Sequence, residues 1–136
     1  MKVFPLTLAI ILASLAVSCA TRQIDIPYDL TPMELIQRAQ EASDRNRYGI
    51  SMQYYEAILE RFPFDIDNII AAEYEIAFIH YKQNRFDTAR VQFEEILARY
   101  DNPDGALLPP QFRILSGIVL ANMDEIESRR RPRSRM

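Results

Sequence analysis

The chain has 136 residues, with 19 Asp and Glu against 16 Lys and Arg for a net charge of −3, and it uses three glycines, one cysteine and no tryptophan. That length allows one domain around one core, and so little glycine amid abundant Glu, Ala, Ile, Leu and Arg favours helix. Residues Ala20 to Ser128 carry all 19 carboxylates against ten cations, a net −9, which excludes nucleic acid as the main ligand because phosphate binding needs a basic face, and the lone cysteine excludes an intrachain disulfide.

The chain opens on Met1 and Lys2, followed by an uncharged apolar run from Val3 to Val17. A positive start, about 15 apolar residues and a small-residue break form the layout of a secretory signal peptide. A spanning helix is the alternative, but it wants roughly 20 apolar residues, and Pro5 shortens the useful run. Ala16-Val17-Ser18-Cys19 resembles the lipobox of bacterial lipoproteins, with Ala16 where Leu is usual. The resemblance implies that residues 1–18 are removed and that Cys19 carries lipid as the mature N-terminus. Ala20, in place of the Asp that marks inner-membrane retention, implies an outer-membrane protein facing the periplasm. A thiol is a good nucleophile for acylation, and each buried acyl methylene contributes about 0.8 kcal/mol of membrane affinity. The competing role for Cys19 is that of a small buried hydrophobe. Residues 19–30 are then the lipidated N-terminus and a linker.

Beyond the linker the pattern is helical. Thr31, Pro32 and Glu34 form a helix start, with a capping box and a proline at the first helical position, and this helix is expected to reach about Asn46. Tyr48, Met52, Tyr55, Leu59 and Phe62 recur at helical spacing until Pro63. Asp65 to Asn68 offers caps for a third helix, Ile69 to Gln83. Asp65 and Asp67 are caps in preference to calcium ligands, because the glycine and distal glutamate of a calcium loop are missing. The third helix carries two apolar stripes, Ile69, Ala72, Ile76 and Ile79 on one side and Ile70, Tyr74, Phe78 and Tyr81 on the other. Such a helix must touch neighbours on both sides. Phe86, Ala89, Phe93, Ile96 and Tyr100 mark a fourth helix. A turn-rich stretch around "DNPDG" separates it from a fifth, Gln111 to Glu127, whose inner face is expected at Phe112, Leu115, Val119 and Ile126. The remaining residues, 128–136, hold five arginines and read as a disordered tail, solvated or meeting an acidic partner or anionic lipid.

The two middle helix pairs are alike. Tyr48, Ser51, Tyr55 and Ile58-Leu59 correspond to Phe86, Ala89, Phe93 and Ile96-Leu97 at an offset of 38 residues, near the period of tetratricopeptide repeats. With Ala77 and Tyr81-Lys82, the pattern from Ala72 to Asp104 resembles the tetratricopeptide-repeat family. Within it, the stretch resembles the BamD (YfiO, ComL) family of outer-membrane assembly lipoproteins, which has more repeats than the two found here. The resemblance spans residues 31–127. It implies an all-α short solenoid, two antiparallel helix pairs plus a C-terminal capping helix. It also implies a partner-binding groove on the first helices of each pair, with Tyr74, Phe78, Tyr81 and Lys82 from the second and Ile36 and Gln40 from the first. The alternative is that the last helix or residues 23–30 pack over the Tyr74/Phe78/Tyr81 stripe and bury it, since so short a chain needs every apolar face for its core.

Catalytic chemistry has little support in the residues. His80, the sole histidine, sits between two apolar stripes and reads as structural. Glu73/Glu75 and Glu94-Glu95 read as solvated helix faces. No phosphate loop, metal-spaced cluster or nucleophile elbow is present in the sequence. The expectation is therefore a non-enzymatic scaffold without cofactor or metal, held on the membrane by lipid and bound to an envelope protein, an outer-membrane assembly complex in the most specific version. Aromatics with a polar end suit such an interface. The alternative function is a carrier or sensor lipoprotein, whose Tyr74/Phe78/Tyr81 stripe would line a pocket for a small apolar ligand.

Overall fold

A computed structural model describes residues 22–130; Cys19, the apolar run before it and residues 131–136 lie outside them. The described chain is all-α: α1 (Pro32–Asp44), α2 (Tyr48–Arg61), α3 (Ile66–Lys82), α4 (Phe86–Tyr100), a 3-10 turn (Pro103–Leu107) and α5 (Pro110–Arg130). Among the described residues no helix is long and apolar enough to cross a membrane.

Local chemistry sets the boundaries. The Thr31 hydroxyl accepts from the Glu34 N–H at 3.3 Å, and Glu34 Oε2 accepts from the Thr31 N–H at 2.9 Å. This closes the expected capping box, and its hydrogen bonds hold the Glu34 carboxyl below the usual range. The third helix begins three residues before the expected Ile69. Asp65 is its N-cap, accepting from the Asn68 N–H at 3.3 Å, and Asp67 falls in the first turn, where a negative charge suits the helix dipole. At the far end α5 runs on to Arg130, so Ser128, Arg129 and Arg130 are helical and do not belong to the tail.

Both helix hairpins close with the same turn. Asn46 and Asn84 adopt left-handed backbone, φ 57° and 59°, a conformation that asparagine tolerates better than most residues. The following N–H reaches back into the preceding helix in each, Arg47 to the Ala42 carbonyl at 2.8 Å and Arg85 to the His80 carbonyl at 2.9 Å. The 38-residue correspondence seen in the side chains is thus repeated in the backbone.

Packing follows from α3, which touches α1, α2, α4 and α5. Its Ala72, Ile76 and Ile79 join Leu35, Ala39, Tyr55, Ala57 and Ile58 in one buried cluster. Its Tyr74 and Ala77 join Phe86, Ala89, Phe93, Ile96, Tyr100, Val119 and Met123 in a second. α3 neighbours both α1 and α5, with α2 set on α1 and α3, and α4 on α3 and α5. Each fully buried large side chain contributes roughly 1.5–3 kcal/mol through area removed from water. Arg90 bridges α4 to α5, 2.8 Å from Asp124 and 3.2 Å from Glu127.

Two expectations need correction. The inner face of α5 is Phe112, Ser116, Val119, Met123 and Ile126, and Leu115 is 39% exposed. The true stripe runs at spacings of four, three, four and three, and a serine at its second position hides it from a search for apolar residues. The described part of the expected linker, residues 22–30, is docked on α2. The Ile24 N–H donates to Gln53 Oε1 at 2.9 Å, Arg61 donates to the Pro27 and Ile26 carbonyls at 2.8 and 3.0 Å, and Leu30 is buried.

Two glycines should respond oppositely to alanine. A Cβ on Gly105 would sit 2.6 Å from the Tyr100 carbonyl carbon, whereas one on Gly117 meets nothing within 4 Å. Gly105→Ala is expected to lower the urea midpoint by displacing the 3-10 turn. Gly117→Ala, in a helix interior, should raise stability by up to about 1 kcal/mol. Ser51 is fully buried with an unpartnered hydroxyl, where the second hairpin has Ala89. Ser51→Ala should be neutral or stabilising by about 1 kcal/mol, and a loss of stability in the same melts would contradict that account.

Candidate functional site

The residues expected to form a groove divide into two sets. Tyr74 is 7% exposed, its ring 5.6 Å from Phe93 of α4 and 5.4 Å from Phe112 of α5. It therefore belongs to the core, because α5 closes over the inner end of the aromatic stripe. Ile36 is half-buried and packs on the first cluster, and Gln40 is exposed on α1. Phe78 and Tyr81 are half-buried and Lys82 is exposed; these three stand together at the outer end of α3.

Their arrangement is a stacked row. Tyr74 stacks on Phe78 at 5.9 Å between ring centroids, Phe78 on Tyr81 at 5.7 Å, and Tyr81 on Phe86 of α4 at 5.7 Å. Arg130 of α5 caps the row, its guanidinium 5.2 Å from the centre of the Phe86 ring. The spacing of Tyr74, Phe78 and Tyr81 along one helix makes the first part of the row inevitable, since positions three and four apart share a face. Phe86 and Arg130 enter only through tertiary packing.

Lys82 is held by three elements. Its ammonium donates to Ser43 Oγ of α1 at 2.7 Å. It also lies 5.1 Å from the Tyr48 ring centre of α2 and 5.3 Å from that of Phe78, within reach of a cation–π attraction to both. An ammonium has three donors, so further N–H groups remain to meet an acceptor. Glu75, two turns back on α3, has its carboxyl pushed up by burial, an effect that the charge of Lys82 opposes in part. Tyr55 of α2 and Tyr74 are pushed up as well, by burial first and then by the Glu75 charge. Ser43 and Tyr48 were not legible as site residues, because their ties to Lys82 cross 39 and 34 positions of sequence; Glu75, expected on a solvated helix face, is half-buried.

The arrangement can recognise: an aromatic surface beside an oriented cation suits a partner with an apolar side chain next to an acceptor. His80 is buried, with Nδ1 2.7 Å from Gln92 Oε1 of α4, which places it in the α3–α4 packing. Among the described residues no group of three His, Cys, Asp or Glu side chains is placed to hold a metal ion. A polar cleft of about 470 Å³ lies on the outer side of α1 and α2, lined by residues that include Glu34, Arg38, Glu41, Arg45 and Arg47.

No family model matches the chain, and no solved structure matches it. An uncharacterized protein of Treponema pallidum (strain Nichols) is 35% identical over 108 residues, 78% of this chain and 43% of that protein. The chain therefore spans less than half the length of this relative.

The half-buried Glu75 carboxyl gives a pH signature. Its folded pKa is raised above the unfolded 4.5, so its proton stabilises the fold below 4.5 and that contribution is lost as pH rises through the folded value. Glu75→Gln should therefore melt higher than the parent at pH 7 and lose that advantage near pH 4. Thermal melts followed by circular dichroism at both pH values check this, and an advantage independent of pH would contradict it.

Proposed function

We propose that this chain is a membrane-anchored, tetratricopeptide-type scaffold lipoprotein that holds another protein in the bacterial cell envelope. Cys19 carries the lipid, and the short solenoid of two hairpins and a capping helix projects from the membrane. The recognition face is the outer end of α3, Phe78, Tyr81 and Lys82, flanked by Gln40 and Ile36 of α1. The most specific form of this reading is a BamD-like part in outer-membrane protein assembly, on the outer membrane and facing the periplasm. No cofactor or metal takes part, and no reaction is catalysed.

The observation that carries this reading is the repeat: two hairpins, 38 residues apart, close with the same left-handed asparagine turn and stack through α3. Stacked pairs of this kind build a rigid face whose geometry is fixed before a partner arrives. Lys82 shows what rigidity means here. Its contacts with Ser43, Tyr48 and Phe78 hold a long side chain in place, which lowers the ordering cost of binding. A lipid anchor adds to this by confining the scaffold to the surface where membrane partners lie, which raises their effective concentration. The carrier alternative is weaker, because the inner end of the stripe is filled by Phe93 and Phe112.

The test is an affinity pull-down from detergent-solubilised membranes, comparing the parent with Phe78→Ala/Lys82→Ala after both prove equally helical and equally lipidated. Tyr74 is left intact because it is core. An envelope protein recovered by the parent should fall about tenfold or more in the variant, the effect of removing a binding hot spot. Recovery of an outer-membrane assembly channel would support the BamD-like form. A partner retained equally by both proteins, or none recovered by either, would count against the scaffold reading at this face.

A further inference from the structure

Contacts between elements gather both hairpin turns and the end of α5 at one end of the helix bundle. Lys82, closing α3, reaches Ser43 of α1 and the Tyr48 ring of α2, and Arg130, closing α5, lies over Phe86 at the start of α4. Six cations stand at this end, Arg45, Arg47, Lys82, Arg85, Arg129 and Arg130, and all are exposed. The carboxylates in the same turns are Glu41, Asp44, Asp87 and Glu127, and Glu127 is already held by Arg90. Arg129 pairs with Glu125, and Arg45 lies 4.0 Å from Glu41. Arg47, Lys82, Arg85 and Arg130 make no ion pair among the described residues. The opposite end reverses the balance: residues 29–34, 60–67, 99–104 and 110–113 carry seven carboxylates against three cations.

Helix chemistry does not account for two of these cations. Arg47 and Arg85 are the N-caps of α2 and α4, and neither makes a side-chain cap bond. A helix N-terminus favours Ser, Thr, Asp or Asn and a negative charge, so a cation there opposes the dipole. The same chain follows the rule at its other end, where Thr31 and Asp65 cap α1 and α3. From this placement we infer that the end bearing Asn46 and Asn84 is a docking surface for anionic lipid headgroups, and that the domain rests on the membrane through it. The inference builds on the lipid-anchor reading of Cys19. Lipid is chosen over an acidic protein by where the N-terminal segment meets the domain. Residues 22–30 run along α2 in its own direction, from Gln53, which donates to the Arg22 carbonyl, to Arg61, which donates to those of Ile26 and Pro27. Arg22 therefore lies toward the start of α2, on the side of the basic end, and adds an exposed cation. Three residues span at most about 11 Å, so a lipid on Cys19 enters the membrane close by. Charge supplies the rest: a cation held near anionic headgroups strengthens binding roughly fivefold, an effect that salt screens. From Arg130 the sequence continues with Arg131, Arg133 and Arg135 and no carboxylate, a further charge of the same sign.

The test uses the full chain extracted from membranes, and intact-mass spectrometry decides first whether Cys19 carries lipid. The lipidated protein is reconstituted into phosphatidylcholine vesicles with or without phosphatidylglycerol. A fluorophore on Gln83→Cys marks the basic end and one on Phe64→Cys the opposite end, both exposed positions, and nitroxide-headgroup lipids report which lies nearer the surface. On phosphatidylglycerol vesicles, quenching at position 83 should exceed that at position 64 at least about twofold, and the difference should vanish in about 1 M salt. It should also vanish in Arg47→Glu/Arg85→Glu, which keeps the helical spectrum because each carboxylate suits a helix N-terminus. Should that variant fail to fold, Arg47→Gln/Arg85→Gln takes its place. Equal quenching at the two positions, quenching indifferent to phosphatidylglycerol, or a variant that matches the parent overturns the proposal. A mass without lipid overturns the anchor reading alone. Flotation of the unlabelled chain then decides the basic end: binding to phosphatidylglycerol vesicles that falls at least about tenfold in the double variant upholds it, and equal binding of parent and variant overturns it. Neither arginine belongs to the aromatic row, so the partner pull-down stands apart from both results.

Discussion

Everything in this domain depends on α3 being apolar on both sides. A helix with one apolar stripe can end a structure, but a helix with two must be enclosed. Ala72, Ile76 and Ile79 draw α1 and α2 to one side, and Tyr74 and Ala77 draw α4 and α5 to the other. The two clusters thus share one structural element, and disturbance of either reaches the other through it. The cross-links repeat the theme: Lys82 ties the end of α3 to α1 and α2, and Arg99 of α4 pairs with Glu73 of α3 at 2.6 Å.

The same constraint shapes the candidate site. Because α3 must be covered, its aromatic stripe cannot stay open along its whole length. α5 settles over Tyr74 and leaves Phe78, Tyr81 and Lys82 at the outer end. The covered end supplies rigidity and the open end supplies contact. Glu75 carries the cost of this arrangement, as a carboxyl whose burial opposes its charge with only partial relief from Lys82. Small residues do the corresponding work at the helix crossings. Ser51, Ala89 and Ser116 are each fully buried, and the two serines keep unpartnered hydroxyls where size matters more than polarity.

The asymmetry of the stack bears on how the domain meets others. α5 turns Ile114, Leu115 and Ile118 outward, whereas α1 turns outward chiefly charged and amide side chains together with Met33. The docked segment 22–30 adds a further constraint. Arg61 and Gln53 bind its backbone along α2, so the chain that leads toward Cys19 leaves the domain from a defined place.

Much of this was written in local sequence. Thr31, Pro32 and Glu34 placed the start of α1, because a capping box acts over three residues. The double stripe of α3 placed it between neighbours, because periodicity reports which faces must be buried. The 38-residue echo announced the two hairpins, and their backbone turns agree. Where the sequence fell short, the deciding contact was distant. Whether the aromatic stripe stayed open or was covered by the last helix or by residues 23–30 could not be decided from sequence; the closure of α5 over Tyr74 rests on Phe112, 38 residues away. Nor could the inner face of α5 be read, where Ser116 fills a position that sequence patterns assign to apolar residues. The docking of residues 22–30 depends on side chains of α2 binding main-chain atoms, which leaves no periodic trace. Burial on one helix is set by the residues of that helix and is legible; which neighbour provides the cover, and how far it reaches, is decided by the free energy of packing the whole chain at once.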